Sequence, residues 1–146
     1  MRLLLDTYIL IWWLTDDPAL PASARTAIGD PRSEVFVSTA TSWEIAIKHA
    51  LGRLDFPVSR MATTLAEAGF TPLAITLDHS ILAGSLPPHH HDPFDRMLIA
   101  QAQHEGLTIV SVDTALRRYA VAILDGSNWN NTNVSDDHSC SSLRTE

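Results

Sequence analysis

Asp6, Glu44, Asp95 and Asp113 each fall where an apolar run gives way to a helix, or in a helix's first turn. Asp6 closes Leu3-Leu4-Leu5, and Asp113 closes Thr108-Ile109-Val110-Ser111-Val112, runs of the kind that form buried parallel strands. Open α/β sheets bind ligands in the crevice at the carboxyl ends of their strands, so acids scattered through the sequence can converge there. Crowded carboxylates raise one another's pKa and resist joint ionisation, a penalty that a divalent cation removes. Several carboxylates with no obligatory His or Cys suit hard cations, Mg2+ or Mn2+, and such ions serve phosphodiester hydrolysis by activating water and stabilising the leaving oxygen. Thr7, Ser38 and Thr41 stand close enough in sequence to hold a water or a phosphate oxygen.

Each acid also has an ordinary structural explanation. Asp92 before Pro93 makes a good N-cap with Pro at the first helical position, and Asp95 then occupies the third. Thr41 and Glu44 have capping-box spacing, and Asp6 and Asp113 suit caps on the helices that follow them. Caps, however, are spread over a fold, whereas this set belongs largely to one edge of one sheet.

The elements that would position these residues are legible in outline. Tyr8 to Leu14 reads as a buried helix ended by Asp16-Asp17-Pro18, and a second helix follows from Pro21 to Ile28. Glu34 to Ser38 is the second strand, and a helix runs from about Ser42 to Leu51, closed by Gly52. Ser59 to Ala68 reads as helix, Pro72 to Thr76 as strand and Leu77 to Gly84 as helix. A helix from Asp92-Pro93 to His104 stops at Gly106, the strand to Val112 follows, then a short helix, then Val121 to Leu124 as the last strand. This alternation specifies an α/β fold with a central parallel sheet and helices on both faces.

The chain has 146 residues, 45% of them hydrophobic, which suits one domain with a real core. That domain is expected over 1–124. Residues 125–146 read as a polar, disordered tail in which Asp125, Asp136, Asp137 and Glu146 outnumber Arg144, and Trp129 is the one large anchor. The formal charge of -7 and pI near 5.3 exclude a protein that coats nucleic acid through a general basic surface, but not an enzyme that cuts it. The single cysteine, Cys140, excludes an internal disulfide framework and fits a reducing cytoplasm. Asp6 comes too soon for a signal peptide, and no apolar run approaches the roughly 20 residues of a membrane span.

His89-His90-His91 invites a transition-metal reading, but three consecutive loop residues cannot all face one ion; a solvated loop near the substrate entrance is expected. Trp12, Trp13 and Trp43 lie on helices and are expected in the core or at a subunit interface, with base stacking as the alternative role. Arg96, Lys48, Arg117 and Arg118 are candidates for local positive charge toward a phosphate backbone, or simply solubilising charge.

Leu3-Leu4-Leu5-Asp6-Thr7, Thr41-Ser42-Trp43-Glu44-Ile45-Ala46-Ile47-Lys48, the specific stretch Asp92-Pro93-Phe94-Asp95-Arg96-Met97-Leu98-Ile99-Ala100-Gln101-Ala102, and Ser111-Val112-Asp113 together resemble the PIN-domain ribonucleases. In particular they resemble the VapC-type toxins of bacterial VapBC toxin-antitoxin pairs. The resemblance implies a PIN-like three-layer sandwich. It also implies a cytoplasmic endoribonuclease dependent on Mg2+ or Mn2+, with Asp6, Glu44, Asp95 and Asp113 as both catalytic residues and metal ligands. A cognate VapB-type antitoxin, an RNA substrate and a homodimer are the implied partners. Tyr8 stands where such relatives often carry His, and the tail after Leu124 is longer than these domains usually need.

Two other readings remain open. One is a PIN-like binding or assembly module whose acids are caps, which would cleave nothing. The other is a metal-dependent DNA nuclease or phosphatase, because acidic metal sites cleave several phosphate esters and a fold does not choose a substrate.

Overall fold

The computed structural model describes residues 1–125; the rest of the expected tail, with Trp129 and Cys140, lies outside the described residues. Five parallel strands form one sheet: β1 (Arg2–Leu5), β2 (Glu34–Ser38), β3 (Thr71–Leu73), β4 (Thr108–Val110) and β5 (Ile123–Leu124), in the order β3-β2-β1-β4-β5. Strand β1 is central. The chain leaves it toward β2 on one side and returns to β4 on the other, so the direction of winding reverses between β1 and β4. That reversal opens the crevice that α/β sheets use for ligands.

Alternation along β1 explains the three layers. Leu3 and Leu5 pack into one core and Leu4 into the other, because successive strand residues point to opposite faces. The first core is covered by α1 (Thr7–Leu14), α2 (Ala22–Gly29), α3 (Thr39–Ala50) and α4 (Met61–Ala68), with Ile9, Leu10, Ile45 and Leu65 buried in it. The second is covered by α5 (Leu77–Ser85), α6 (Pro93–Glu105) and a 3-10 segment (Thr114–Arg118), with Leu98, Ile99, Leu116 and Tyr119 inside. Each fully buried Leu or Ile contributes about 1.5–3 kcal/mol, so the leucine run that reads as a strand also nails the sheet between its helices.

The expected PIN-like α/β sandwich is therefore present. Differences lie at element ends. Helix α3 begins at Thr39, three residues before the expected start, because Ser38 accepts the Ala40 N–H at 3.0 Å and caps the helix as soon as β2 ends. Strand β4 ends at Val110 rather than Val112: its register with β5 runs from Ile109 to Val110, and the Ser111 N–H makes the last bond, to Leu124 O at 3.1 Å. The expected β3 and β5 are shorter too, and the helix read from Ser59 is a 3-10 turn leading into α4. Helix α6 stops where expected, at Gly106, whose φ of +69° only glycine adopts freely.

Among the described residues, no helix is long and apolar enough to cross a membrane.

Candidate active site

The four acids reach the carboxyl edge of the sheet from four elements. Asp6 follows β1, Glu44 lies in the second turn of α3, Asp95 is the third residue of α6, and Asp113 follows β4 by three residues. Asp6 and Asp113 thus flank the reversal point, while Glu44 and Asp95 come from helices in the two outer layers.

Three aspartates do cap helices. Asp6 Oδ1 accepts the Ile9 N–H at 2.9 Å, Asp92 Oδ1 accepts the Phe94 N–H at 2.8 Å, and Asp113 Oδ1 accepts the Ala115 N–H at 2.9 Å. A cap consumes one oxygen and leaves the other. Asp113 Oδ2 is turned toward His90 Nε2 at 3.4 Å. Glu44 and Asp95 cap nothing: with α3 starting at Thr39, the spacing from Thr41 to Glu44 is no capping box, and the buried Thr41 Oγ1 is left without a hydrogen bond. Glu44 instead pairs with Lys48 one turn on, and Asp95 stands in the first turn of α6.

The electrostatics show that the acids share one space. Asp6, only 7% exposed, has its pKa pushed up to about 6, first by burial and further by the charges of Asp113 and Glu44, against a lowering by hydrogen bonds from Ser111 and Ile9. Asp95 is pushed up to about 7, again first by burial and then by Asp92, Asp6 and Asp113, against an opposing pull from His90. Burial and mutual repulsion together hold both carboxyls above their ordinary range.

Three side chains organise them. Thr7 Oγ1 donates a short 2.5 Å hydrogen bond to Glu44 Oε1, while Lys48 Nζ pairs with Glu44 Oε2 at 3.0 Å. The fully buried Ser111 hydrogen-bonds to Asp6 and accepts the Asp113 N–H at 3.0 Å, linking the acids of the two central strands. Of the residues expected to hold water or phosphate, Thr7 instead orients an acid and Ser38 is a helix cap.

His90 is the residue that sequence reasoning missed. The loop was expected to be solvated, and the three histidines do diverge: His89 packs edge-on against Tyr119 and His91 is exposed. His90 turns inward, with Nε2 at 2.9 Å from Asp95 Oδ2, within ion-pair distance though poorly aligned as a hydrogen bond. Its Nδ1 accepts the Asp92 N–H at 3.4 Å, which places the ring hydrogen on Nε2, between the two carboxylates. The available signal was its position two residues before Asp92.

Arg96 was a candidate for binding phosphate, but its guanidinium is spent on backbone. It donates to Pro87 O at 3.0 Å, Ala83 O at 2.9 Å, Leu86 O at 3.0 Å and His90 O at 3.3 Å, while Tyr119 Oη accepts the His90 N–H at 2.8 Å. Together they pin the His90 backbone. Arg117 pairs with Asp125.

The donor set fits a hard divalent cation. Oxygens of Asp95 and Asp113 lie with His90 Nε2 inside a 4.8 Å cluster, and Asp6 feels the charges of both Asp113 and Glu44. A second grouping, His79, His104 and Glu105, is a structural contact instead. The Nδ1 of buried His79 accepts the Thr76 N–H at 3.0 Å, so Nε2 carries the hydrogen, donates to Glu105 at 2.8 Å and is closed to a metal.

A model of the PIN domain matches residues 3–122. Ribonuclease VapC22 of Mycobacterium tuberculosis is 30% identical over 122 residues, covering 80% of this chain and 90% of that protein. The fold is similar to that in the VapBC2 complex of Rickettsia felis bound to promoter DNA, with a TM-score of 0.63, 12% identity, and 85% and 98% of the two chains covered. It is also similar to that in a toxin-antitoxin complex from Klebsiella pneumoniae, with a TM-score of 0.54, 20% identity, and 76% and 86% covered.

Proposed function

The chain belongs to the PIN-domain family, and from that premise we propose that it is a metal-dependent endoribonuclease, the toxin of a toxin-antitoxin pair. The carrying observation is the convergence of Asp6, Glu44, Asp95 and Asp113 with two pKa values raised to about 6 and about 7. The similarity to a protein named as a ribonuclease supports RNA as substrate. Similarity of fold to chains solved in toxin-antitoxin complexes supports a small antitoxin partner. Homodimerisation and action in the cytoplasm complete the reading.

When bound, Mg2+ or Mn2+ supplies the Lewis acidity that makes water a nucleophile near neutral pH and offsets charge on the phosphate. The remaining work belongs to the side chains. Asp6, Glu44, Asp95 and Asp113 would hold the ion, and Asp6 and Asp95 must lose the protons that burial and neighbouring charge favour. Thr7 and Lys48 fix the two oxygens of Glu44, and Ser111 fixes Asp6 relative to Asp113, so that the donors are preorganised rather than assembled at each turnover.

The observed caps at Asp6 and Asp113 favour a second reading, a non-catalytic binding module. It leaves the partly buried Asp95, with its pKa raised to about 7, without a role. Both readings, and that of a DNA nuclease or phosphatase, are separated by incubating the purified, antitoxin-free protein with cellular RNA, DNA and a phosphomonoester. The reactions contain Mg2+ or Mn2+ or EDTA, with Asp6→Asn and Asp95→Asn as controls. RNA cleavage that needs metal and is lost in both folded variants is expected. No cleavage, or equal cleavage by the variants, would return the acids to capping, and selective hydrolysis of DNA or the monoester would change the substrate.

A further inference from the structure

One imidazole nitrogen stands among the acidic oxygens. His90 Nε2 is buried and finds no aligned acceptor, although Asp95 Oδ2 lies 2.9 Å away and Asp113 Oδ2 3.4 Å away. A ring hydrogen and a ring lone pair leave the nitrogen along the same line. A nitrogen aligned with neither oxygen therefore aims its coordinating direction beside the carboxylates rather than at them. The spacing is that of ligands on one ion: with nitrogen bound at about 2.0–2.1 Å and oxygen at about 2.0–2.2 Å, neighbouring ligands stand about 2.9 Å apart at right angles and about 3.4 Å apart at the tetrahedral angle. The two separations in the protein match those values, and all three atoms lie within 4.8 Å of one another.

The ring can present a lone pair there. Nδ1 accepts the Asp92 N–H at 3.4 Å, longer than an ordinary hydrogen bond, so moving the ring hydrogen from Nε2 to Nδ1 gives up little, and the side chain is 21% exposed, so water can accept that hydrogen. His79 is barred from the same change, being fully buried with both ring nitrogens engaged at 3.0 and 2.8 Å. The His90 backbone is already fixed by Tyr119 and Arg96, which spares an ion the work of ordering the loop. Mg2+ takes oxygens and water in an octahedron and gains little from imidazole, whereas Zn2+ takes imidazole and carboxylate together with four ligands. Resting on the metal-dependent reading above, we propose that His90 Nε2, Asp95 and Asp113 form a Zn2+ site that shares two carboxylates with the all-oxygen site for Mg2+ and differs from it by a nitrogen ligand. The two ions exclude one another. Zinc thereby withdraws half of the acidic quartet, and His90 has opposite effects on the two metals: a competitor of Mg2+ and a ligand of Zn2+.

The test titrates the full-length, metal-stripped protein with Zn2+ and, separately, with Mg2+ by isothermal titration calorimetry. His90→Ala is expected to weaken Zn2+ binding at least about tenfold, a loss that even residues which only orient a ligand produce, and not to weaken Mg2+ binding. Asp113→Asn keeps an oxygen for the Ala115 cap and leaves the His90 loop unaltered, and it should weaken both ions; His91→Ala, at the exposed neighbour, should weaken neither. In the parent, Zn2+ should displace bound Mn2+, followed by electron paramagnetic resonance. Zinc affinity indifferent to His90→Ala or to Asp113→Asn would overturn the site and assign zinc to other residues. Zn2+ and Mg2+ weakened alike by His90→Ala would overturn it by reducing the ring to a prop for its loop, and simultaneous binding of Zn2+ and Mn2+ would overturn the sharing of carboxylates. Each result is read without RNA, so it stands apart from whether the protein cleaves RNA.

Discussion

His90 Nε2 lies 2.9 Å from Asp95 Oδ2 and 3.4 Å from Asp113 Oδ2, so an imidazole N–H stands where two carboxylates would share a cation. His90 and a divalent ion thus compete for the same oxygens. Replacing His90 by alanine is expected to tighten Mg2+ binding several-fold, read by isothermal titration calorimetry. Weaker binding in His90→Ala would instead make the ring a ligand and refute the competition.

The loop that carries His90 depends on one guanidinium. Arg96 donates to the carbonyls of Ala83, Leu86, Pro87 and His90 and so joins the end of α5 to α6. Arg96→Ala strands several of these acceptors and is expected to cost about 2–4 kcal/mol of stability in urea unfolding. Arg96→Lys should recover only part, because an ammonium cannot reproduce the planar fork. Full recovery by lysine would mean that charge alone matters.

The strands and acids were readable because they are local. Leu3-Leu4-Leu5 is apolar in a row since both faces of β1 are covered, and the four acids stand out against that background. What local pattern could not supply was the partner of each side chain. Nothing near Arg96 in sequence distinguishes a phosphate ligand from a clamp on carbonyls six to thirteen residues earlier. Glu44 fitted a capping box until the helix began at Thr39, a choice made by Ser38 at the end of β2. His90 looked like one of three loop histidines because the Tyr119 contact that orients its backbone is 29 residues away.

Proton linkage at Asp6 has a definite sign. Its folded-state pKa of about 6 exceeds the ordinary 3.8, so the folded protein holds the proton more tightly than the unfolded chain. Stability from this group is therefore present below about pH 3.8 and is lost as pH rises through about 6. In EDTA, Asp6→Asn, which keeps a capping oxygen, should be more stable than the parent at pH 8 by on the order of 3 kcal/mol, with the gap closing toward pH 4. Mg2+ should narrow the gap at pH 8 by stabilising only the parent. Parallel stability curves with pH would show that Asp6 is not strained in the folded protein.

Thr7 tests whether the site is preorganised. It is 5% exposed and its hydroxyl donates to Glu44 Oε1, while Lys48 holds the other oxygen, so Glu44 has little rotational freedom before any ion arrives. Thr7→Val keeps the branched shape but removes the donor and leaves one carboxylate oxygen without its fixed partner. Losing such an orienting contact typically costs 10–100-fold in metal affinity or activity, and that range is expected here for Mn2+ binding followed by electron paramagnetic resonance. Thr7→Ser should restore most of it, since the serine hydroxyl can make the same bond. Because Mn2+ binding is read apart from cleavage, a variant that binds the ion normally but cuts slowly would place Thr7 in the chemistry rather than in orientation. Unchanged binding in a folded Thr7→Val protein, alongside loss in Glu44→Gln, would show that Lys48 alone suffices to aim the carboxylate.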